Sequence, residues 1–186
     1  MADSRPIRVL GICGSLRKGS THRGLLRAAQ SRMPAGSTLE IAELHDIPPF
    51  NADHENDPPA PVRAFKEKIR AADAILFAAP EYNYSIAGVL KNAIDWASRP
   101  PADNVWAGKA AAIVSTSVGL LGGARGQYHL RQSFVFLRIR PVMMPECFVP
   151  FNAQKFDADG NLTDEGIWPF LTPLLEALVR LARTPA

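Results

Sequence analysis

Five short apolar runs alternate with stretches of helical periodicity, and this alternation narrows the fold more than any other feature of the chain. The runs are IRVLGIC (7–13), TLEIAEL (38–44), DAILFAA (73–79), KAAAIVSTS (109–117) and IRPVMMPE (139–146). Several are apolar on both faces, as strands of a parallel sheet must be when helices cover both sides. Helices are expected at about 22–32, 61–71, 86–98, 124–138 and 164–183, where they supply the crossovers. The pattern predicts an α/β, doubly wound, five-stranded parallel sheet with helices on both faces. A chain of 186 residues, 47% hydrophobic, fits one domain spanning 1–186 that buries roughly 70% of its unfolded surface. No linker divides it. The segment DIPPFNADHENDPPAPV (46–62) holds five prolines and is expected to be a loop, exposed as a flap near the site.

No apolar run approaches the roughly 20 residues that span a bilayer, and MADSRPIR at the N-terminus has no signal core. The expected location is the cytoplasm, with no membrane partner. Two cysteines, Cys13 and Cys147, make no disulfide framework and have no metal-ligand spacing with any of the four histidines, so no metal is expected. Twenty-one basic against 18 acidic side chains, with no Lys/Arg block, argue against nucleic acid and suit small anionic ligands.

In open α/β sheets ligands sit at the carboxyl ends of the strands. The first such segment is GSLRKGSTHR (14–23). It lacks the G-x-G of a dinucleotide fingerprint, and Ser20 stands where a Walker loop needs lysine. A phosphatase loop built on Cys13 would need an arginine where Gly19 stands, and Cys13 among apolar neighbours reads as a small core residue. What remains is a hydroxyl-rich, basic strand-to-helix turn. Ser15, Ser20 and Thr21 are donors, Arg17 is a fork, and the helix start offers free N–H groups, a set suited to a terminal phosphate monoester. The same residues also read as a helix cap by Ser20 or Thr21 with Arg17 and Lys18 in solvent.

The second segment, FAAPEYNYSIAGVLKNAIDWASRP (77–100), bends at Pro80, presents Tyr82, Asn83 and Tyr84, and starts a helix with Ser85 as the expected N-cap. Two flat rings and an amide beside turn N–H groups suit a planar heterocycle. Read alone, the tyrosines equally well just cover the sheet end. Glu81 is expected to hold loop backbone rather than act as a base. The third segment, STSVGLLGGARGQYHLRQ (115–132), places four glycines after a strand, where backbone approaches something closely. DADGN (157–161) departs from the calcium-loop pattern and reads as a turn. Thr163 is expected to cap the last helix, with Asp164 and Glu165 in its first turn.

Together, GSLRKGS, PEYNYSIAGVLKNAIDWASRP, GGARGQYHLRQ and NAQKFDADGNLTDE resemble the NADPH-dependent FMN reductase family, and within it the chromate and quinone reductase branch. The resemblance covers nearly the whole chain. It implies a flavodoxin-like fold of strand order 2-1-3-4-5. It implies FMN as cofactor, with Ser15, Arg17, Ser20, Thr21 and His22 around the phosphate, Pro80, Glu81, Tyr82, Asn83, Tyr84 and Ser85 around the ring, and Ser117 on the third loop. Position 22 is usually asparagine in that family, so His22 is a departure, either a pH-sensitive member of the cradle or one donor exchanged for another.

The expected function is a two-electron, ping-pong transfer from NADPH or NADH through FMN to small-molecule acceptors: quinones and, by family resemblance, chromate or other metal oxyanions, azo dyes and nitro compounds. No catalytic side chain is expected, because the flavin carries the chemistry. The alternative is a flavodoxin-type electron carrier without NAD(P)H turnover. A homodimer or homotetramer is implied, with Arg125, Tyr128 and Glu146 as a polar network near the contact. Leu130, Phe134 and Leu137 face one side of their helix, while Val135 and Phe136 point elsewhere.

Overall fold

The computed structural model describes residues 5–185. Strand β1 (Ile7–Cys13) lies between β2 (Ser37–Ala42) and β3 (Ala74–Ala78), and β3 pairs on its far side with β6 (Ala110–Thr116), all in parallel register. The fifth position is shared by two short pieces. β7 (Arg140–Pro141) pairs the start of β6, and β8 (Cys147–Val149) pairs its end. This is the expected 2-1-3-4-5 order with one correction: the strand expected over 139–146 is broken. Pro141 and Pro145 have no N–H to give a ladder, and Met143 and Met144 between them turn out to solvent.

Among the described residues five α-helices cover the sheet: α1 (Thr21–Ser31), α2 (Ala60–Ala71), α3 (Gly88–Ala97), α4 (Ala124–Leu137) and α5 (Trp168–Arg183). Side chains alternate across each strand, so successive residues serve opposite cores. Val9, Leu76 and Ala112 meet Leu25, Leu26, Leu171 and Leu175 from α1 and α5. Leu10, Ile75, Phe77 and Ile113 meet Phe65, Ile69, Leu90, Ile94, Leu130 and Phe134 from α2, α3 and α4. Each such fully buried side chain contributes roughly 1.5–3 kcal/mol, and the two layers together fix the sheet against rotation of any one helix.

The proline-rich stretch before α2 is a loop, as expected, and it is tied down. The Pro48 carbonyl accepts from Asn92 Nδ2 and from Trp96 Nε1, each at 2.8 Å, and the Phe50 N–H donates to Asn92 Oδ1 at 2.7 Å. The last helix starts later than expected. Asp164 rather than Thr163 caps, through Oδ1 to the Gly166 N–H at 3.0 Å, a 3-10 turn over Glu165–Ile167, and α5 follows with Pro169 in its first turn.

Candidate active site at the carboxyl ends of the strands

The turn after β1 enters α1 with Ser20 as N-cap, its hydroxyl accepting from the Arg23 N–H at 3.3 Å. Ser15 and Ser20 are buried beneath the turn, whereas Leu16, Arg17 and Lys18 are exposed at its tip. The turn is held from below: Cys13 Sγ donates to the Ser15 carbonyl at 3.4 Å, and the Arg17 N–H donates to Ser15 Oγ at 3.4 Å. Cys13 is thus a buried support rather than a nucleophile. The first turn of α1 carries no acidic residue. Its leading N–H groups have no carbonyl one turn back, so the helix start offers donors and the positive end of the helix dipole, with the exposed Arg17 just before it in the chain. That donor set fits a phosphate.

His22 is placed differently from a free donor. The ring is 7% exposed, its Nε2 accepts from the Thr116 N–H at 3.3 Å, and it is hydrogen-bonded to the Ala79 backbone. Burial pushes its pKa down to about 4 against the pull of the Ala79 bond, and the Arg17 charge lowers it further. At least Nε2 is thus committed to protein backbone.

The second segment begins in contact with the first. The Gly14 N–H donates to the Ala78 carbonyl at 2.9 Å, and a Cβ on Gly14 would lie 2.6 Å from Pro80 Cδ. Beyond Pro80 the chain forms a small antiparallel hairpin, β4 (Glu81–Tyr82) and β5 (Ser85–Ile86), closed by Asn83 and Tyr84 at φ of 50° and 66°. Two successive positive φ values make the tight turn that matches strand twist. Ser85 is therefore a correction. It belongs to β5, α3 begins at Gly88 after Ala87 without a side-chain cap, and the Ser85 hydroxyl instead meets His129 Nδ1 at 3.0 Å.

Helix α4 holds this hairpin. The Glu81 carboxylate accepts from Arg125 Nε at 2.7 Å and from the Gly126 N–H at 3.0 Å, and the Arg125 guanidinium stacks 3.5 Å above the Tyr84 ring centroid. The backbone that Glu81 holds is that of helix α4 rather than the loop expected. The hydrogen bond from Arg125 to Glu81 raises the arginine's pKa. Within the single chain Arg125 bonds Glu81, while Tyr128 and Glu146 meet each other, Tyr128 Oη donating to Glu146 Oε2 at 3.1 Å. The Arg125 contact with Glu81 has no signal in spacing, because it joins residues 44 apart.

After β6, Ser117 Oγ donates to the Gly119 carbonyl at 3.2 Å and its backbone pairs with Val149 and Asn152. The close approaches expected of the glycines here are to the protein itself: added Cβ atoms on Gly122 and Gly123 would meet the Val149 backbone at 2.9 Å and the Ser115 side chain at 2.8 Å. The three segments leave Leu16, Tyr82, Tyr84, Val118 and Leu120 exposed at one end of the sheet, a surface fit to lie against a flat ring. A cavity of about 370 Å³ between β2 and α2, lined by Arg8, Val9, Thr38, Glu40, Glu67 and Lys68, includes none of these segments. Among the described residues no cluster of His, Cys, Asp and Glu is placed to hold a metal ion, and no helix is long and apolar enough to cross a membrane.

Residues 7–154 match the family model described as NADPH-dependent FMN reductase. The chain belongs to the NADPH-dependent FMN reductase family. It is accordingly an oxidoreductase that works with FMN and NAD(P)H. It is 50% identical over 177 residues to an NAD(P)H-dependent FMN reductase of Pseudomonas aeruginosa, an alignment covering 94% of this chain and 95% of that one. It is 52% identical over 190 residues to an NAD(P)H:quinone oxidoreductase of Solanum tuberosum, covering 98% and 96%. Among solved structures it resembles FerB, a flavoenzyme NAD(P)H:(acceptor) oxidoreductase from Paracoccus denitrificans, with a TM-score of 0.85 at 36% identity, covering 95% and 97%.

Proposed function

We propose that this protein is an NAD(P)H:quinone reductase that passes two electrons at a time through bound FMN, releasing the oxidised nicotinamide before the acceptor binds. The observation that carries the reading is the contact of Gly14 with Pro80, which sets the turn suited to phosphate beside the hairpin suited to a ring. Ser15, Arg17, Ser20, Thr21 and the α1 N-terminus hold the phosphate. Pro80, Glu81, Tyr82, Asn83, Tyr84 and Ser85 form the ring platform, with Ser117 on the third loop. When bound, FMN supplies the hydride chemistry that no amino-acid side chain performs.

The protein's own part is placement. The hairpin turn, fixed by Glu81 and Arg125, offers backbone and Asn83 amide groups to the ring edge. The exposed Tyr82, Val118 and Leu120 leave room for a second flat molecule to stack within reach of the ring. Nicotinamide and quinone share that flat, partly apolar character, which favours successive use of one place. The relatives named for FMN and quinone reduction support the same pair of substrates. Chromate or other metal oxyanions, azo dyes and nitro compounds are further acceptors on the strength of the family resemblance. Initial rates measured against NADPH at several fixed quinone concentrations give parallel double-reciprocal lines on this account; intersecting lines contradict shared, alternating occupancy.

The same reading includes a homodimer or homotetramer. Val135 and Phe136 on α4 are 82% and 71% exposed, and Tyr128, Met143 and Met144 add apolar surface that one subunit leaves bare. Light scattering at micromolar protein gives a multiple of 20.2 kDa if that surface is shared between copies, and 20.2 kDa itself if it is not.

A further inference from the structure

We propose that His22 sets the separation of the three cofactor segments by standing in for a missing rung of the sheet ladder between β3 and β6. The inference rests on the FMN reading given above, and concerns how the chain holds the site open rather than which ligand it takes. In a parallel ladder each residue donates to one neighbour carbonyl and accepts from the N–H two residues further along. The Ala79 N–H donates to the Val114 carbonyl at 2.9 Å, so the next rung would run from the Thr116 N–H to the Ala79 carbonyl. That rung is replaced. The Thr116 N–H donates to His22 Nε2 at 3.3 Å, and the imidazole bonds the Ala79 backbone in turn.

With Nε2 accepting, the neutral ring carries its proton on Nδ1. One imidazole therefore meets the backbone of both strand ends at the point where the chain leaves for Pro80 on one side and Ser117 on the other. The ring projects from the first turn of α1, immediately after Ser20 and Thr21. His22 thus ties the phosphate turn, the hairpin and the third loop into one spacing while its own nitrogens face backbone. The Arg17 guanidinium is the charged group that acts on it, and burial together with that charge keeps it uncharged, as an acceptor at Nε2 requires. A shared spacer should affect the phosphate and ring halves of the site alike, which distinguishes it from a phosphate ligand.

The test compares the full-length parent with His22→Gln, whose amide offers one donor and one acceptor, and with His22→Leu, which offers neither. Flavin fluorescence titrations of the apoproteins give dissociation constants for FMN and for riboflavin. The expected result is that H22L weakens both ligands by roughly tenfold or more, the size of a lost buried hydrogen bond or two, whereas H22Q stays within a few-fold of the parent. A loss confined to FMN in H22L overturns the proposal in favour of direct phosphate contact. Unchanged affinity in a folded H22L, or equal losses in H22L and H22Q, overturns it as well. A second measurement needs no variant and no flavin: the ring ¹⁵N shifts of His22 in the apoprotein at neutral pH. They report the neutral Nδ1–H tautomer if the rung exists; an Nε2–H tautomer or a charged ring overturns it. If the parent binds no flavin at all, the FMN reading fails while the ring shifts still decide the rung.

Discussion

The Gly160 carbonyl oxygen stands 1.8 Å from where a Cβ on Gly24 would be. The turn over 157–161 is thus seated directly on helix α1, and a Cβ on Gly160, at φ +76°, would in turn lie 2.8 Å from the Gly19 backbone. Asp157 shapes that turn by accepting from the Asp159 and Asn161 N–H groups at 3.0 and 2.7 Å. The turn packs against the segment that enters α1 at both Gly19 and Gly24. Gly24→Ala should therefore destabilise the apoprotein by about 1–3 kcal/mol and weaken FMN binding as well. Chemical denaturation and flavin titration measure the two, and a G24A protein matching the parent in both would mean that the turn merely rests there.

Arg17, exposed at the tip of the first turn, is expected to act on phosphate alone. Arg17→Ala should weaken FMN by roughly the 1.5–3 kcal/mol of a charged hydrogen bond and leave riboflavin almost unchanged. Equal losses for both ligands would remove Arg17 from the phosphate.

Glu81 should show the reverse pattern, since it holds the hairpin and not the turn. Asn83 and Tyr84 occupy positive φ, a conformation that persists only where surroundings over-determine it, and the Glu81 bonds to Arg125 and the Gly126 N–H provide that restraint. Glu81→Ala should weaken FMN and riboflavin together by several-fold, with Arg125→Ala showing a smaller effect in the same direction. An FMN-specific loss in E81A would contradict this division of the site.

The pH dependence follows from His22. Its folded pKa is about 4, below the ordinary histidine value of about 6.5, so the unfolded chain takes up the proton first. The stability it contributes is fully present above about pH 6.5 and is lost progressively as pH falls toward 4, on the order of 3 kcal/mol in all. Urea unfolding of the apoprotein between those limits should show this slope in the parent and a shallower one in H22Q. Identical slopes would mean that the ring is already exposed to protons in the folded state.

Much of this architecture was legible before any coordinates, because β1, β3 and β6 are apolar on both faces and their helices keep clear periodicity. The fifth strand departs from the apolar run because Pro141 and Pro145 break it into two short pieces. Ser85 differs from the expected cap because it belongs to a two-residue strand before α3, and a hydroxyl before a helix looks like a cap whatever the backbone does. The Ser20 cap of α1 is legible in the residues of the first turn. What stayed hidden were contacts between distant segments: Gly160 against Gly24, Glu81 against Arg125, and His22 inside the ladder. Sequence shows a glycine or a histidine at such places but not the backbone that reaches it from elsewhere in the chain.

The measurement that bears most directly on the account is anaerobic mixing of the FMN-loaded protein with NADPH, with no other protein present, followed by addition of a quinone. The account predicts that NADPH alone bleaches the oxidised flavin's visible band within a turnover time and that the quinone restores it. A flavin that stays oxidised in excess NADPH, yet accepts electrons from a separate reductase, would contradict the account and identify the protein as an electron carrier.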